Sequence, residues 1–105
     1  MRSFFVLGML ATALSTRAAA QGADGKAIYE ANCKKCHGAT GAPSAPMKKL
    51  NPKLEAFDAA FFAKRPEAEV VKQIADGKDK MKPFKDKLKA DEIAAVAKYI
   101  RTLKP

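Results

Sequence analysis

The stretch "ANCKKCHGATG", residues 31–41, contains both cysteines and the only histidine of this 105-residue chain. Cys33, Cys36 and His37 lie within five positions and form a Cys-x-x-Cys-His motif. Thiols and imidazoles are side chains that bind metals and soft cofactors well. Their concentration here indicates one chemical site near the N-terminal end of the chain.

Three kinds of site use this spacing. A zinc site needs about four ligands, so an acidic residue or water would have to complete it. A thioredoxin-like dithiol requires a preceding strand and a βαβ context, and the sequence shows neither. Covalent haem attachment uses the whole motif, because Cys33 and Cys36 form thioethers to the haem vinyl groups while His37 coordinates the iron. We therefore predict one covalently bound haem c in each chain.

The beginning of the chain has the order of a secretory signal. Arg2 precedes a mostly apolar run over residues 4–14, and Ala18–Ala20 form an Ala-x-Ala cleavage site. The run is shorter than the ~20 residues that span a bilayer, although an uncleaved anchor is an alternative. We expect a signal peptide at residues 1–20, one small domain at residues 21–105 and a periplasmic location.

The hydrophobic pattern predicts an all-α fold with no convincing strand. The predicted helices run from an Asp24 N-cap to Cys36, from Asn51 and Pro52 through Phe61, from Pro66 to Gly77, and from Ala90 to Leu103. The stretches "GATGAPSAP" and "GKDKMKPFKDK", which begin at residues 38 and 77, are predicted loops.

A domain of this size usually needs a disulfide, a metal or a large cofactor to complete its core. A Cys33–Cys36 disulfide would close a very short loop and constrain the unfolded chain little. A haem, in contrast, is a large apolar plate. The candidates for its apolar surroundings are Phe57, Phe61, Phe62, Phe84, Ile74 and Ile100.

The second axial ligand of such an iron must be sought outside the motif, since the chain has no further histidine. The candidates are Met47 and Met81. Met81 is favoured because it follows the helix-ending Gly77 in a loop that Pro83 and Phe84 can hold and cover, whereas the alternative role of a methionine is to fill the core. We also expect a backbone carbonyl, that of Pro43 or Pro46, to accept the free N–H of His37.

With these residues assembled, the chain resembles the class I, mono-haem cytochromes c of the short bacterial type. In that family a glycine and an aromatic residue before the first cysteine pack against an aromatic residue of the C-terminal helix, and Gly25, Tyr29 and Tyr99 match those positions. The resemblance implies the small class I cytochrome c fold, in which the terminal helices cross and shorter helices and loops surround the haem. Two features depart from the family pattern: Lys82 separates Met81 from its proline, and the last helix lacks a Ser or Thr cap.

The predicted function is that of a soluble, exported electron carrier whose iron is held by His37 and Met81. The net charge is +9, and lysines surround both parts of the predicted site: Lys34, Lys35, Lys78, Lys80, Lys82, Lys85, Lys87 and Lys89. They predict redox protein partners with acidic docking surfaces, although an ordinary solvated basic face is the alternative. We expect a monomer, with no nucleic-acid partner and no small-molecule substrate.

Other functions remain open at this point. If Met81 does not bind the iron, the open iron site could bind small ligands, and the protein would be an enzyme. If the chain carries no haem, it would be a dithiol or zinc module. The carrier can also be a subunit of a larger oxidoreductase.

Overall fold

The computed structural model describes residues 23–105, so the predicted signal peptide at residues 1–20 lies outside the described part. Residues 23–105 form helices and loops without a strand, which confirms the predicted all-α fold. The helices are α1 (Gly25–Asn32), α2 (Lys34–His37), α3 (Ala45–Leu50), α4 (Ala59–Ala63), α5 (Glu67–Asp76) and α6 (Ala90–Ile100). Within the described residues, none of these helices is long and apolar enough to cross a membrane.

Helix α1 begins as predicted. The Asp24 carboxylate accepts hydrogen bonds from the backbone N–H groups of Lys26 and Ala27, at 3.1 and 3.2 Å, and so caps two donors that have no partner within the helix. The prediction of one continuous helix to Cys36 is wrong. Cys33 has φ −120°, well away from the helical value of about −63°, and this break separates α1 from α2.

Helices α1 and α6 cross in close contact at Gly25. A Cβ atom on Gly25 would lie 2.5 Å from the carbonyl oxygen of Ala95 and 2.8 Å from Cβ of Tyr99, so only glycine fits. One turn further along α1, the rings of Tyr29 and Tyr99 lie 5.5 Å apart at a tilt of 54°. The predicted packing of these three residues is therefore confirmed.

Helix α5 follows Pro66 and ends at Gly77, as predicted. Gly77 has φ +73°, which an L-residue with a side chain rarely adopts. Packing between helices is extensive for α1 with α6, α5 with α6 and α1 with α2. Together they bury the core of the described residues: Tyr29, Phe57, Val70, Ile74, Leu88, Ile93, Val96, Ala97 and Ile100.

The middle of the chain differs from the prediction. The helix expected to begin at Asn51 is absent, because Asn51 ends α3 rather than starting a helix. Helix α3 itself was missed, since its cap Ser44 lies within the predicted loop; the Ser44 hydroxyl accepts from the N–H of Met47 at 3.4 Å. The next helix starts only after Asp58, whose carboxylate accepts from the N–H of Phe61 at 2.9 Å. Both helices begin at capping side chains of the usual type.

Helix α6 starts at Ala90 as predicted but ends at Ile100 rather than at Leu103. Although Ser and Thr are missing from its start, the backbone N–H of Lys89 donates to the Glu92 carboxylate at 2.9 Å, which is one half of a capping box. Leu103 lies beyond the helix and still packs against the core.

Candidate functional site

The Cys-x-x-Cys-His motif occupies the break between α1 and α2. Cys33 is half-buried and packs against the core, whereas Cys36 is exposed, and neither thiol forms a disulfide among the described residues. Burial, with a smaller contribution from neighbouring Cys36, raises the pKa of the Cys33 thiol from 9.0 to about 11, against the lowering effect of the Lys87 ammonium. Both sulfur atoms are therefore available for covalent bonds, and Lys87 lies near one of them.

His37 lies against the aromatic core. Its ring stacks on that of Phe57, with centroids 4.8 Å apart and an interplanar angle of 24°, and burial lowers the pKa of the imidazole. Its Nδ1 atom is buried without a hydrogen-bond partner within residues 23–105. The expected hydrogen bond to the carbonyl of Pro43 or Pro46 is therefore not formed in this structure.

The residue after His37 is held by α1. The hydroxyl of Tyr29 donates a hydrogen bond to the carbonyl oxygen of Gly38 at 2.5 Å, and the Tyr29 side chain is only 1% exposed. Because the hydroxyl of a buried tyrosine needs a hydrogen-bond partner, this bond fixes the end of α2 relative to α1. The sequence identified Tyr29 by its packing with Tyr99 but gave no signal for this second role.

Beyond His37 the aromatic side chains continue as a cluster. The Phe57 ring meets that of Phe61 edge to face at 5.0 Å, and Phe61 meets Phe62 in the same way at 5.0 Å. Phe57 is buried, while Phe61 and Phe62 are only half-buried against the core. Of the other residues predicted to surround a haem, Ile74 and Ile100 are buried and Phe84 is half-buried.

Met81 lies at the end of a hydrogen-bonded turn. The backbones of Lys78 and Met81 exchange two hydrogen bonds, at 3.1 and 2.9 Å, and Asp79 within the turn has φ +53°. The chain after the turn is attached to α5, because Phe84 N–H donates to the carbonyl of Ile74 at 3.0 Å. The loop that sequence patterns left irregular is thus fixed at both ends.

The two candidate methionines differ in their surroundings. Met81 is half-buried and packs against the core. Met47 is also half-buried, but it lies in α3 and is not among the residues that pack against the core. The core-facing methionine is therefore the one that the sequence favoured.

These residues provide the donor set that a covalently attached haem requires. Two unpaired thiols at the haem-motif spacing would form the thioethers, and an imidazole and a thioether are both suitable iron ligands. His37 contributes an imidazole, one nitrogen of which would bind the iron while the other carries the proton; its Nδ1 is buried without a protein partner, and buried polar atoms normally have one. Among the described residues, no group of three or more His, Cys, Asp or Glu side chains comes together in a way that could hold a metal ion.

Two contacts near the site have no sequence signal. The Arg65 guanidinium pairs with both carboxylate oxygens of Glu55, at 3.1 and 3.3 Å, and lies 4.1 Å above the ring of Phe61. The ammonium of Lys80 donates to the carbonyl of Leu50. Both join residues ten or more positions apart in the chain, so no helical or strand periodicity could reveal them.

Comparison with known proteins gives concordant results. Residues 20–100 match the family model described as cytochrome c oxidase, cbb3-type, subunit III. The chain is 30% identical to a cytochrome c6 of a Nostoc species over 106 aligned positions, which cover 95% of this chain and 92% of the relative.

Solved structures of the c-type cytochrome KustC0563 are also similar. One matches with a TM-score of 0.70 and 34% identity over 78% of this chain and 99% of the other. A point mutant of the same protein matches with a TM-score of 0.68 and 34% identity, over 77% and 99% of the two chains.

Proposed function

The chain belongs to the cytochrome c family as a small class I, mono-haem member that carries covalent haem c and transfers electrons, and we propose that His37 and Met81 are the two axial ligands of its iron. Cys33 and Cys36 are the thioether residues in this proposal. Cycling of the iron between the ferrous and ferric states supplies the redox chemistry. As an electron carrier rather than an enzyme, the protein needs no open position on the iron.

The observation that carries this proposal is the difference between the two methionines. The turn that ends at Met81 is hydrogen-bonded and attached to α5, and its side chain packs against the core. Met81 and Cys33 both pack against the same core cluster, which supports assigning them to one site. A methionine ligand held in this way favours the ferrous iron and raises the reduction potential.

The contacts around His37 support this proposal, because they would hold the site in place in both oxidation states. Phe57 stacks on the imidazole of His37 and limits its rotation. The hydrogen bond from Tyr29 to Gly38 holds the adjoining backbone. Positions fixed by packing and hydrogen bonds need little rearrangement when an electron arrives or leaves.

Absorption spectra of the purified oxidised and reduced protein test the ligand assignment. We expect the spectrum of a c-type haem together with the weak near-infrared band of a methionine–ferric iron bond. A haem spectrum without that band would disprove methionine ligation and would favour an open iron site.

Replacement of each methionine then identifies the ligand. Met81→Leu should abolish the near-infrared band and allow carbon monoxide to bind the reduced iron, because leucine has no donor atom. Met47→Leu is the matched control and should leave both properties unchanged. The reverse pattern would assign the iron to Met47.

The redox protein partners of this family member are proposed to dock through acidic surfaces onto the lysines around the site. Lys87 is the best placed of them. Its ammonium lies 5.9 Å from the centre of the Phe84 ring and close enough to Cys33 to lower the pKa of that thiol, against the larger effect of burial. Because Cys33 is a proposed haem thioether residue, a cation beside it would contact a partner at the haem edge, through which electrons are transferred.

The protein is proposed to act as a monomer in the periplasm, after removal of residues 1–20. The order of charged, apolar and small residues at the start of the chain supports export. N-terminal sequencing of the protein from a periplasmic fraction tests this location. A mature protein that still begins at Met1 would contradict cleavage.

A further inference from the structure

The residues between Gly41 and Phe57 form a loop that is nearly independent of the helical core. Its neck is closed by one backbone hydrogen bond, from Phe57 N–H to the Gly41 carbonyl at 3.0 Å. We call residues 42–56, which include α3, the α3 segment. Helix α3 has no buried residue, and Leu50 at its end is 63% exposed. Burial in the protein core therefore contributes little to the position of this segment.

Two basic side chains connect the α3 segment to the rest of the described residues. Arg65 forms the bidentate ion pair with Glu55. Lys80 donates from its ammonium to the carbonyl of Leu50, the last residue of α3. Within residues 23–105, no other hydrogen bond or ion pair joins residues 42–56 to the remainder, apart from the neck itself.

The position of Lys80 gives its contact a particular consequence. Lys80 is the third residue of the turn from Lys78 to Met81 and directly precedes Met81. A cation at a helix C-terminus also interacts favourably with the helix dipole and with carbonyls that lack a helical partner. One side chain thus attaches the methionine turn to the end of α3.

We propose that Lys80 is a positioning residue for Met81, which acts by attaching the methionine turn to the α3 segment. This inference rests on the proposed His–Met ligation. When the Lys80–Leu50 contact is intact, the turn and the segment restrain each other. When it is lost, Met81 leaves the iron more often and external ligands compete with it more successfully.

Imidazole binding to the ferric holoprotein measures this competition. Lys80→Gln should raise the affinity for imidazole roughly fivefold, as expected for loss of one charge-assisted hydrogen bond. Lys80→Arg keeps the donor and the charge and should restore most of the wild-type value. Lys72→Gln is the charge control, because Lys72 is exposed on α5 and its side chain makes no hydrogen bond or ion pair among the described residues.

Hydrogen exchange provides a second readout. Amides of the α3 segment should exchange faster in Lys80→Gln than in the wild type or in Lys72→Gln. Unchanged imidazole affinity and unchanged exchange in Lys80→Gln would overturn the proposal, as would equal effects of Lys80→Gln and Lys72→Gln. If the wild-type protein lacks the near-infrared methionine band, the proposed ligation itself is wrong, which is a separate outcome.

Discussion

The hydroxyl of Tyr29 donates to the carbonyl oxygen of Gly38 at 2.5 Å, directly after the motif histidine. This bond joins α1, which crosses the C-terminal helix, to the end of α2, which presents His37. The helix packing that defines the fold and the placement of the His37 imidazole therefore depend on the same side chain.

Removal of this hydroxyl should destabilise the protein. Tyr29→Phe leaves the Gly38 carbonyl without its partner, and we expect a loss of about 1–2 kcal/mol in the free energy of unfolding, measured by urea denaturation of the holoprotein. Tyr99→Phe is the matched control, since the Tyr99 hydroxyl donates no hydrogen bond among the described residues, and it should cost less than about 0.5 kcal/mol. Equal losses in both variants would contradict the assigned role of the bond.

We expect Tyr29 to make the stability of the protein depend on pH in the alkaline range. Burial, with smaller contributions from Cys33 and Tyr99, raises the pKa of Tyr29 from 10.0 to about 12. The folded state thus favours the protonated phenol. The contribution of Tyr29 to the free energy of unfolding is therefore complete below pH 10.0 and declines as the pH rises towards 12.

The measurement is the difference in unfolding free energy between the wild type and Tyr29→Phe at several pH values. The lysines titrate in both proteins, so their effect on the free energy of unfolding cancels in this difference. It should be constant below pH 10.0 and then fall by at most about 1.4 kcal/mol per pH unit. A difference that stays constant at alkaline pH would show that the phenol is not protected.

A methyl group at the helix crossing should also be costly. Gly25→Ala places Cβ 2.5 Å from the Ala95 carbonyl oxygen, so the two helices must separate, and we expect a loss of about 1–3 kcal/mol from this overpacking. Lys26→Ala, at the next and exposed position of α1, is the control and should change the stability by less than about 0.5 kcal/mol. Thermal unfolding of the holoproteins distinguishes the two, and a fully stable Gly25→Ala protein would mean that the crossing is looser than described.

Electron transfer with an acidic redox protein should slow as salt is added. The lysines that we propose to surround the haem edge would attract such a partner over long range, and ions screen that attraction over about 10 Å at 0.1 M ionic strength. Electron-transfer rates measured by stopped flow should fall steeply with ionic strength. Lys87→Glu should lower the rate at low salt and should also make the dependence of the rate on ionic strength less steep. Lys72→Glu makes the same charge change on α5 and should have a smaller effect. Rates that do not respond to salt would exclude docking through the lysines.

The protein without haem should be largely unfolded. Phe61, Phe62, Phe84 and Met81 are only half-buried, so the polypeptide alone leaves apolar surface that the haem would cover, and small domains tolerate such losses poorly. Far-UV circular dichroism of the Cys33→Ala, Cys36→Ala double variant should show most of the helical signal lost. Native-like helicity would show that the protein core is sufficient by itself.

The sequence determined the elements whose causes are local. The spacing within "CKKCH", the cap at Asp24, the α5 stop at Gly77 and the apolar stripe of α6 each depend on neighbouring residues, and the structure agrees with these features. The Gly25–Tyr99 contact was also predicted, through the family resemblance. The identity of the axial ligands and the signal peptide remain predictions.

Only the tertiary structure decided the middle of the chain. The sequence placed a helix at Asn51, but Ser44 and Asp58 provide the caps that the structure uses, and several caps of equal local strength compete in such a stretch. The break at Cys33, the Tyr29–Gly38 bond and the Lys80–Leu50 contact were likewise invisible in the sequence. The two hydrogen bonds join groups nine and thirty positions apart, which the folded chain brings together, and a pattern of neighbouring residues carries no information about that.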